Sequence, residues 1–140
     1  LESALKMGET IHIPSCCYEI EEYIHGPNLQ LTPQYNVIFF DGNDGASRRV
    51  EQVYKATRKV TNRAYLISNN PQLSSDDHVL SLSDTVSSEL SPLVYLPFVQ
   101  LLSFIVSNDL HSIYQHPLLK EFKAIAAAKT ENFVNYDGDD

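Results

Sequence analysis

The sequence predicts an α/β domain: a three-layer αβα sandwich around a parallel sheet. Three observations predict it. Residues 36–40, Asn-Val-Ile-Phe-Phe, form a continuous apolar run of strand length, without the alternation of a strand that faces water on one side. An amphipathic helical pattern follows over 46–60, with Val50, Val53, Tyr54, Thr57 and Val60 on one face and Arg48, Arg49, Lys55, Arg58 and Lys59 on the other. Two more short apolar runs, 64–67 and 79–82, come next. Strand, helix, strand at this spacing implies parallel crossovers.

The other elements can be read in order. Residues 1–9 have helical periodicity, with Leu1, Ala4, Leu5 and Gly8 on one face. The pattern starts without a cap and without an initiator methionine, as expected for a piece of a longer protein. Residues 10–14 form an extended link, because the residue before Pro14 avoids the helical region. A second helix is predicted over 18–25, ended by Gly26-Pro27, with a short helical turn over 27–31. Asp41-Gly42-Asn43-Asp44-Gly45 reads as a strand-to-helix turn. Residues 89–108 predict a long helix, apolar on nearly every side, that Pro97 should kink or start later. At 90–106 its apolar run is interrupted and short of a membrane span, so a buried helix is predicted, packed also on a partner domain or subunit. A final helix is predicted over 118–129, and 135–140 reads as an acidic, disordered tail, giving a domain of 1–134.

Composition narrows the function. A chain of 140 residues suits one domain, and a net charge of -8 without a basic stripe argues against nucleic acid or an anionic membrane as partner. Cys16 and Cys17 are adjacent, which disfavours a disulfide. With no secretory leader read at the start, they are expected as small, partly buried hydrophobes in a reducing, cytoplasmic setting. His12, Cys16, Cys17 and His25 fit no zinc spacing, so neither metal nor cofactor is expected.

Two clusters carry chemistry. Glu2, Lys6 and Glu9 are spaced i, i+4, i+7 and lie on one helical stripe: either a salt-bridged surface or a lysine poised between carboxylates. Glu19, Glu21, Glu22, Tyr23 and His25 crowd two helical turns that stop on Gly26-Pro27. An imidazole beside carboxylates at a helix end suits acid/base chemistry, and equally suits a solvated acidic helix capped by its histidine.

Leu1-Glu2-Ser3-Ala4-Leu5-Lys6-Met7-Gly8-Glu9, followed by Glu22-Tyr23-Ile24-His25-Gly26-Pro27, resembles the SIS (sugar isomerase) phosphosugar-domain family. It is most similar to the C-terminal domains of glucosamine-6-phosphate synthases and fructosamine-type 6-phosphate deglycases. The separation of Glu9 from His25 fits, and the likeness continues through Val37 to Phe40 and Leu96-Pro97-Phe98-Val99-Gln100-Leu101-Leu102.

The resemblance implies a flavodoxin-like fold that here lacks its first strand, and a sugar-phosphate substrate. It implies that Glu9 shuttles a proton between C1 and C2 of the open-chain sugar and that His25 helps to open the ring. Glu2, Lys6 and Glu22 would orient the substrate, and Lys129 matches a Schiff-base lysine, with Lys120 and Lys123 as alternatives. It also implies a homodimer with His25 near the interface. The family's Ser/Thr-rich phosphate loop lies in the preceding SIS domain, and nothing here resembles it. The Glu21-Glu22-Tyr23-Ile24-His25-Gly26-Pro27-Asn28 run, and a lysine segment over 117–129 that differs from the synthases', point to a deglycase of amino-acid fructosamine or glucosamine 6-phosphates. The alternatives are a phosphosugar isomerase, a glutamine-fructose-6-phosphate aminotransferase or a non-catalytic sugar-phosphate sensor.

Overall fold

Phe39 joins three elements of the fold. In the computed structural model, which describes residues 1–82, 87–112 and 125, its ring lies edge-on to Tyr23 at 5.8 Å and to Tyr54 at 6.0 Å. The elements are α1 (Glu2–Ile11), α2 (Ile20–Ile24), β1 (Val37–Phe40), α3 (Ser47–Thr57), β2 (Ala64–Ser68), β3 (Val79–Ser81) and α4 (Ser91–Leu110). Short 3-10 turns lie at Pro27–Gln30 and Pro71–Leu73. The predicted helix over 118–129 and the tail over 135–140 fall outside the described residues.

The predicted parallel sheet is present, in the order β1-β2-β3. Phe39 pairs with Leu66 and Leu66 with Val79, so the register puts large apolar side chains in one row. Phe39, Val50, Val53, Tyr54, Ala64, Leu66 and Leu73 form the core, with Ile20, Tyr23 and Ile24 of α2 packed against it. One face of the sheet thus carries α3 and α2. Side chains alternate along a strand, so Phe40 faces the opposite way. There it meets Tyr95 of α4, with ring centroids 5.7 Å apart. Three layers result, and α1 lies against α4.

The amphipathic reading of α3 holds for Val50, Val53, Tyr54 and Thr57, all buried. Val60 is 45% exposed, because α3 ends at Thr57 and Val60 lies in the turn beyond it. There Thr61 is buried and shares its hydroxyl proton between the carbonyls of Pro33 (3.1 Å) and Tyr35 (3.0 Å), tying the approach to β1 to the exit of α3. The turn after β1 is as predicted: Asp41 accepts the N–H of Asn43 and Asp44 that of Ala46. Its left-handed residue is Asn43 rather than either glycine.

Helix α4 departs from expectation in part. It starts at Ser91, ahead of Pro97, and continues through that proline, whose missing N–H costs one helical hydrogen bond. Its buried positions are Ser91, Tyr95, Val99, Ser103 and Ser107, a four-residue repeat built largely of serines. Several large apolar residues turn outward: Leu93 is 67% exposed, Leu101 57% and Phe104 62%. By length and composition α4 could cross a membrane, and within the domain it is fully covered only along this stripe. That stripe receives α1: Ser103 donates to the Met7 sulfur (3.7 Å) and Ser112 to the Thr10 carbonyl (2.6 Å). Helix α1 consequently turns Met7 and Ile11 inward, leaving Leu1 and Leu5 exposed against the sequence reading.

Candidate active site

The stripe predicted on α1 is assembled. Lys6 Nζ lies 2.8 Å from Glu9 Oε2 and 3.7 Å from Glu2 Oε1. The hydrogen bond that Lys6 donates to Glu9 raises its pKa, helped by the charges of Glu9 and Glu2, so the ammonium stays charged beyond the usual lysine range. All three groups face solvent, where a substrate can reach them. Helix α1 ends at His12, whose left-handed conformation (φ 60°) turns the chain into the extended link.

His25 caps α2, and its N–H donates to the Glu22 carbonyl at 3.2 Å. The apolar side of α2 fixes this end of the chain: Ile20, Tyr23 and Ile24 pack on the core, and the Tyr23 hydroxyl pairs with that of Thr57 at 3.3 Å. Glu21 bridges to Arg49 of α3 at 2.8 Å. Pro27 then opens a 3-10 turn. Glu22 and His25 remain exposed, and the His25 imidazole makes no hydrogen bond or ion pair among the described residues.

The structure thus joins Glu2, Lys6 and Glu9 by direct contact and presents Glu22 and His25 on a separate, anchored helix. Lys129, Lys120 and Lys123 lie outside the described residues. Cys16 and Cys17 are free and exposed rather than partly buried, because the extended link that carries them packs on no core element. Among the described residues, no group of three or more His, Cys, Asp or Glu is placed to hold a metal ion.

Sequence reasoning missed two features. The Asn28 amide oxygen, three residues beyond His25, is shut from solvent without a hydrogen-bond partner among the described residues. Such an orphaned acceptor is costly in a domain interior. Nothing in the sequence marks it except its place after Gly26-Pro27. At the carboxyl end of β1, Asp41 is buried, accepts the Ser68 hydroxyl at 2.7 Å, and offers its carbonyl to the Tyr95 hydroxyl. Burial, and secondarily the charges of Asp41 and Asp44, raise the Tyr95 pKa. The signals were a lone aspartate closing an apolar strand and a tyrosine inside an apolar helix.

No protein-family model and no curated protein matches the chain. A solved structure does: a protein of Clostridium difficile 630, described as a "putative phosphosugar isomerase", superimposes on 86% of this chain with a TM-score of 0.74 at 22% identity. The chain spans 34% of that protein's length. The likeness establishes the α/β fold.

Proposed function

We propose that this chain is the C-terminal SIS domain of a cytoplasmic phosphosugar-processing enzyme. The observation that carries the reading is the Glu2–Lys6–Glu9 ion-paired stripe on α1, in a fold shared with a protein described as acting on phosphosugars. Glu9 takes a proton from one carbon of the open-chain sugar and returns it to its neighbour, a task for which a carboxylate serves as both base and acid. Lys6 holds Glu9 in place and, with Glu2 and Glu22, orients the substrate hydroxyls. His25 donates to the ring oxygen during opening. No cofactor enters this scheme.

The substrate is a ketosamine or ketose 6-phosphate, and a deglycase of amino-acid fructosamine or glucosamine 6-phosphates is the first assignment. It is motivated by the Glu22-Tyr23-Ile24-His25-Gly26-Pro27 wording. A simple isomerase is the second, favoured by the description of the structural neighbour. The phosphate grip comes from a preceding SIS domain. In support, β1 lies at the edge of the described sheet, where a further strand can add, and α4 turns an apolar face outward. We assign that face to a homodimer that brings His25 near the interface.

The full-length protein, offered 6-phosphofructosyl- and 6-phosphoglucosyl-amino acids beside fructose 6-phosphate, should turn over at least one of them. Turnover of the first two marks a deglycase, and of the last alone an isomerase. Glutamine-dependent product would mark an aminotransferase. Binding without turnover would leave a sensor and end the enzymatic reading.

A further inference from the structure

We propose that the cleft at the carboxyl ends of β1 and β2 is a second binding site, for a small polyhydroxylated monocarboxylate, that is, a sugar acid. The cleft has a volume of about 430 Å³ and is lined by Asp41, Ser47, Arg48, Glu51, Asn69 and Asn70, among others. Its size is that of small-molecule sites, and it lies at the carboxyl ends of parallel strands, the end of an open sheet at which ligands bind. It shares no residue with the Glu9 and His25 clusters.

The ligand class follows from which groups are already occupied. Asp41 is satisfied on both oxygens, by the Asn43 N–H (3.0 Å) and the Ser68 hydroxyl (2.7 Å). Glu51 is engaged by Lys55 on one oxygen and by the Asn70 amide (3.5 Å) on the other. Arg48 and Asn69, by contrast, make no hydrogen bond or ion pair among the described residues. Ser47 accepts the Asp44 N–H at 3.0 Å and keeps its own proton to give. The uncommitted groups are therefore mostly donors, Asn69 adding one acceptor oxygen, and they suit a ligand rich in acceptors that also carries hydroxyls.

A guanidinium presents a planar fork that matches a carboxylate in two parallel hydrogen bonds. The amide and hydroxyl beside it suit sugar hydroxyls. A dianionic phosphate would meet Asp41, Asp44 and Glu51 with twice the repulsion, whereas a single negative charge is matched by Arg48. Pro71 is the one apolar residue in the lining, so an apolar ligand finds no wall. The floor is preorganised: Ser68 also accepts the Asn70 N–H (3.0 Å), and Tyr95 holds the Asp41 carbonyl from α4.

Isothermal titration calorimetry tests this with three probes: gluconate, glucose and acetate. Gluconate should bind at least tenfold tighter than glucose or acetate. Arg48→Ala and Asn69→Ala should each weaken gluconate binding about tenfold or more. Neither should move the thermal midpoint, since neither side chain has a partner to lose. The Glu9→Gln/His25→Ala double variant should bind gluconate as the parent does, which separates this site from the proposed catalytic one. Equal affinity for gluconate and acetate, no effect of Arg48→Ala, or loss of binding in the double variant would each overturn the proposal.

Discussion

The Tyr23 ring meets the Phe39 ring edge-on, with centroids 5.8 Å apart and planes at 86°. This contact ties the short helix that ends in His25 to the edge strand of the sheet. A helix of five residues cannot hold itself together in water, because nucleation costs more than so few hydrogen bonds return. The position of His25 therefore depends on the aromatic contact. Phe39→Ala should cost ~3–5 kcal/mol of stability in urea unfolding, the range for truncating a buried phenylalanine. Tyr23→Phe, which keeps the ring and loses only the hydrogen bond to Thr57, should cost ~0.5–1.5 kcal/mol. Equal losses from the two variants would mean that the ring contact contributes nothing of its own.

Lys6 offers a direct reading of the stripe on α1. Its pKa is raised above 10.5 chiefly by the Glu9 hydrogen bond, so on the alkaline side the pair is lost only as pH rises through the higher folded value. In Glu9→Gln the Lys6 ammonium, followed by NMR, should titrate closer to 10.5. Glu2→Gln should produce a smaller shift, since Glu2 is the lesser cause. If Glu2→Gln shifts Lys6 more than Glu9→Gln does, the order of the two contacts is wrong.

Asp76 sets part of the acid limb of stability. The His78 N–H at 2.9 Å, and then the Tyr54 hydroxyl at 2.8 Å, hold its carboxyl below the usual carboxylate range. A folded pKa below the unfolded one means that this stabilisation is present above pH 3.8 and lost as pH falls through the lower folded value. Asp76→Asn should therefore be less stable than the parent near neutrality, and the difference should narrow toward about pH 2–3. A constant difference in urea midpoint across that range would remove Asp76 from the acid response.

Much of this architecture was legible because the relevant signals are local. An apolar run such as Val37 to Phe40 leaves a strand no solvated face, and the 3.6-residue repeat of Val50, Val53, Tyr54 and Thr57 marks one side of α3. The spacing of Glu2, Lys6 and Glu9 required no fold to predict contact. What was not legible depended on partners distant in sequence. Hydropathy identified α4 as apolar but could not reveal that Ser103 and Ser107 face inward, because the reason is the close approach of Met7 and its helix. The exposure of Val60 and of the two cysteines likewise reflects where packing stops. The Glu21–Arg49 bridge and the Tyr95–Asp41 contact join residues far apart in sequence, and no motif announces them.

The outward face of α4 should govern association. Leu93 and Phe104 contribute little to the domain's own packing, so Leu93→Glu with Phe104→Glu should shift stability by no more than about 0.5 kcal/mol per site. Sedimentation should find the full-length parent dimeric and the double variant monomeric. A variant that sediments like the parent would take this face out of the interface.

The most direct measurement is the turnover of Glu9→Gln in the full-length protein, on whichever phosphosugar the parent processes. The substitution keeps the size of the side chain and a hydrogen-bond acceptor for Lys6 while removing the group that carries the proton. We predict that kcat falls by roughly 10²–10⁴-fold while KM changes little. A kcat equal to that of the parent would contradict the account, because Glu9 would then be only one member of a surface ion pair.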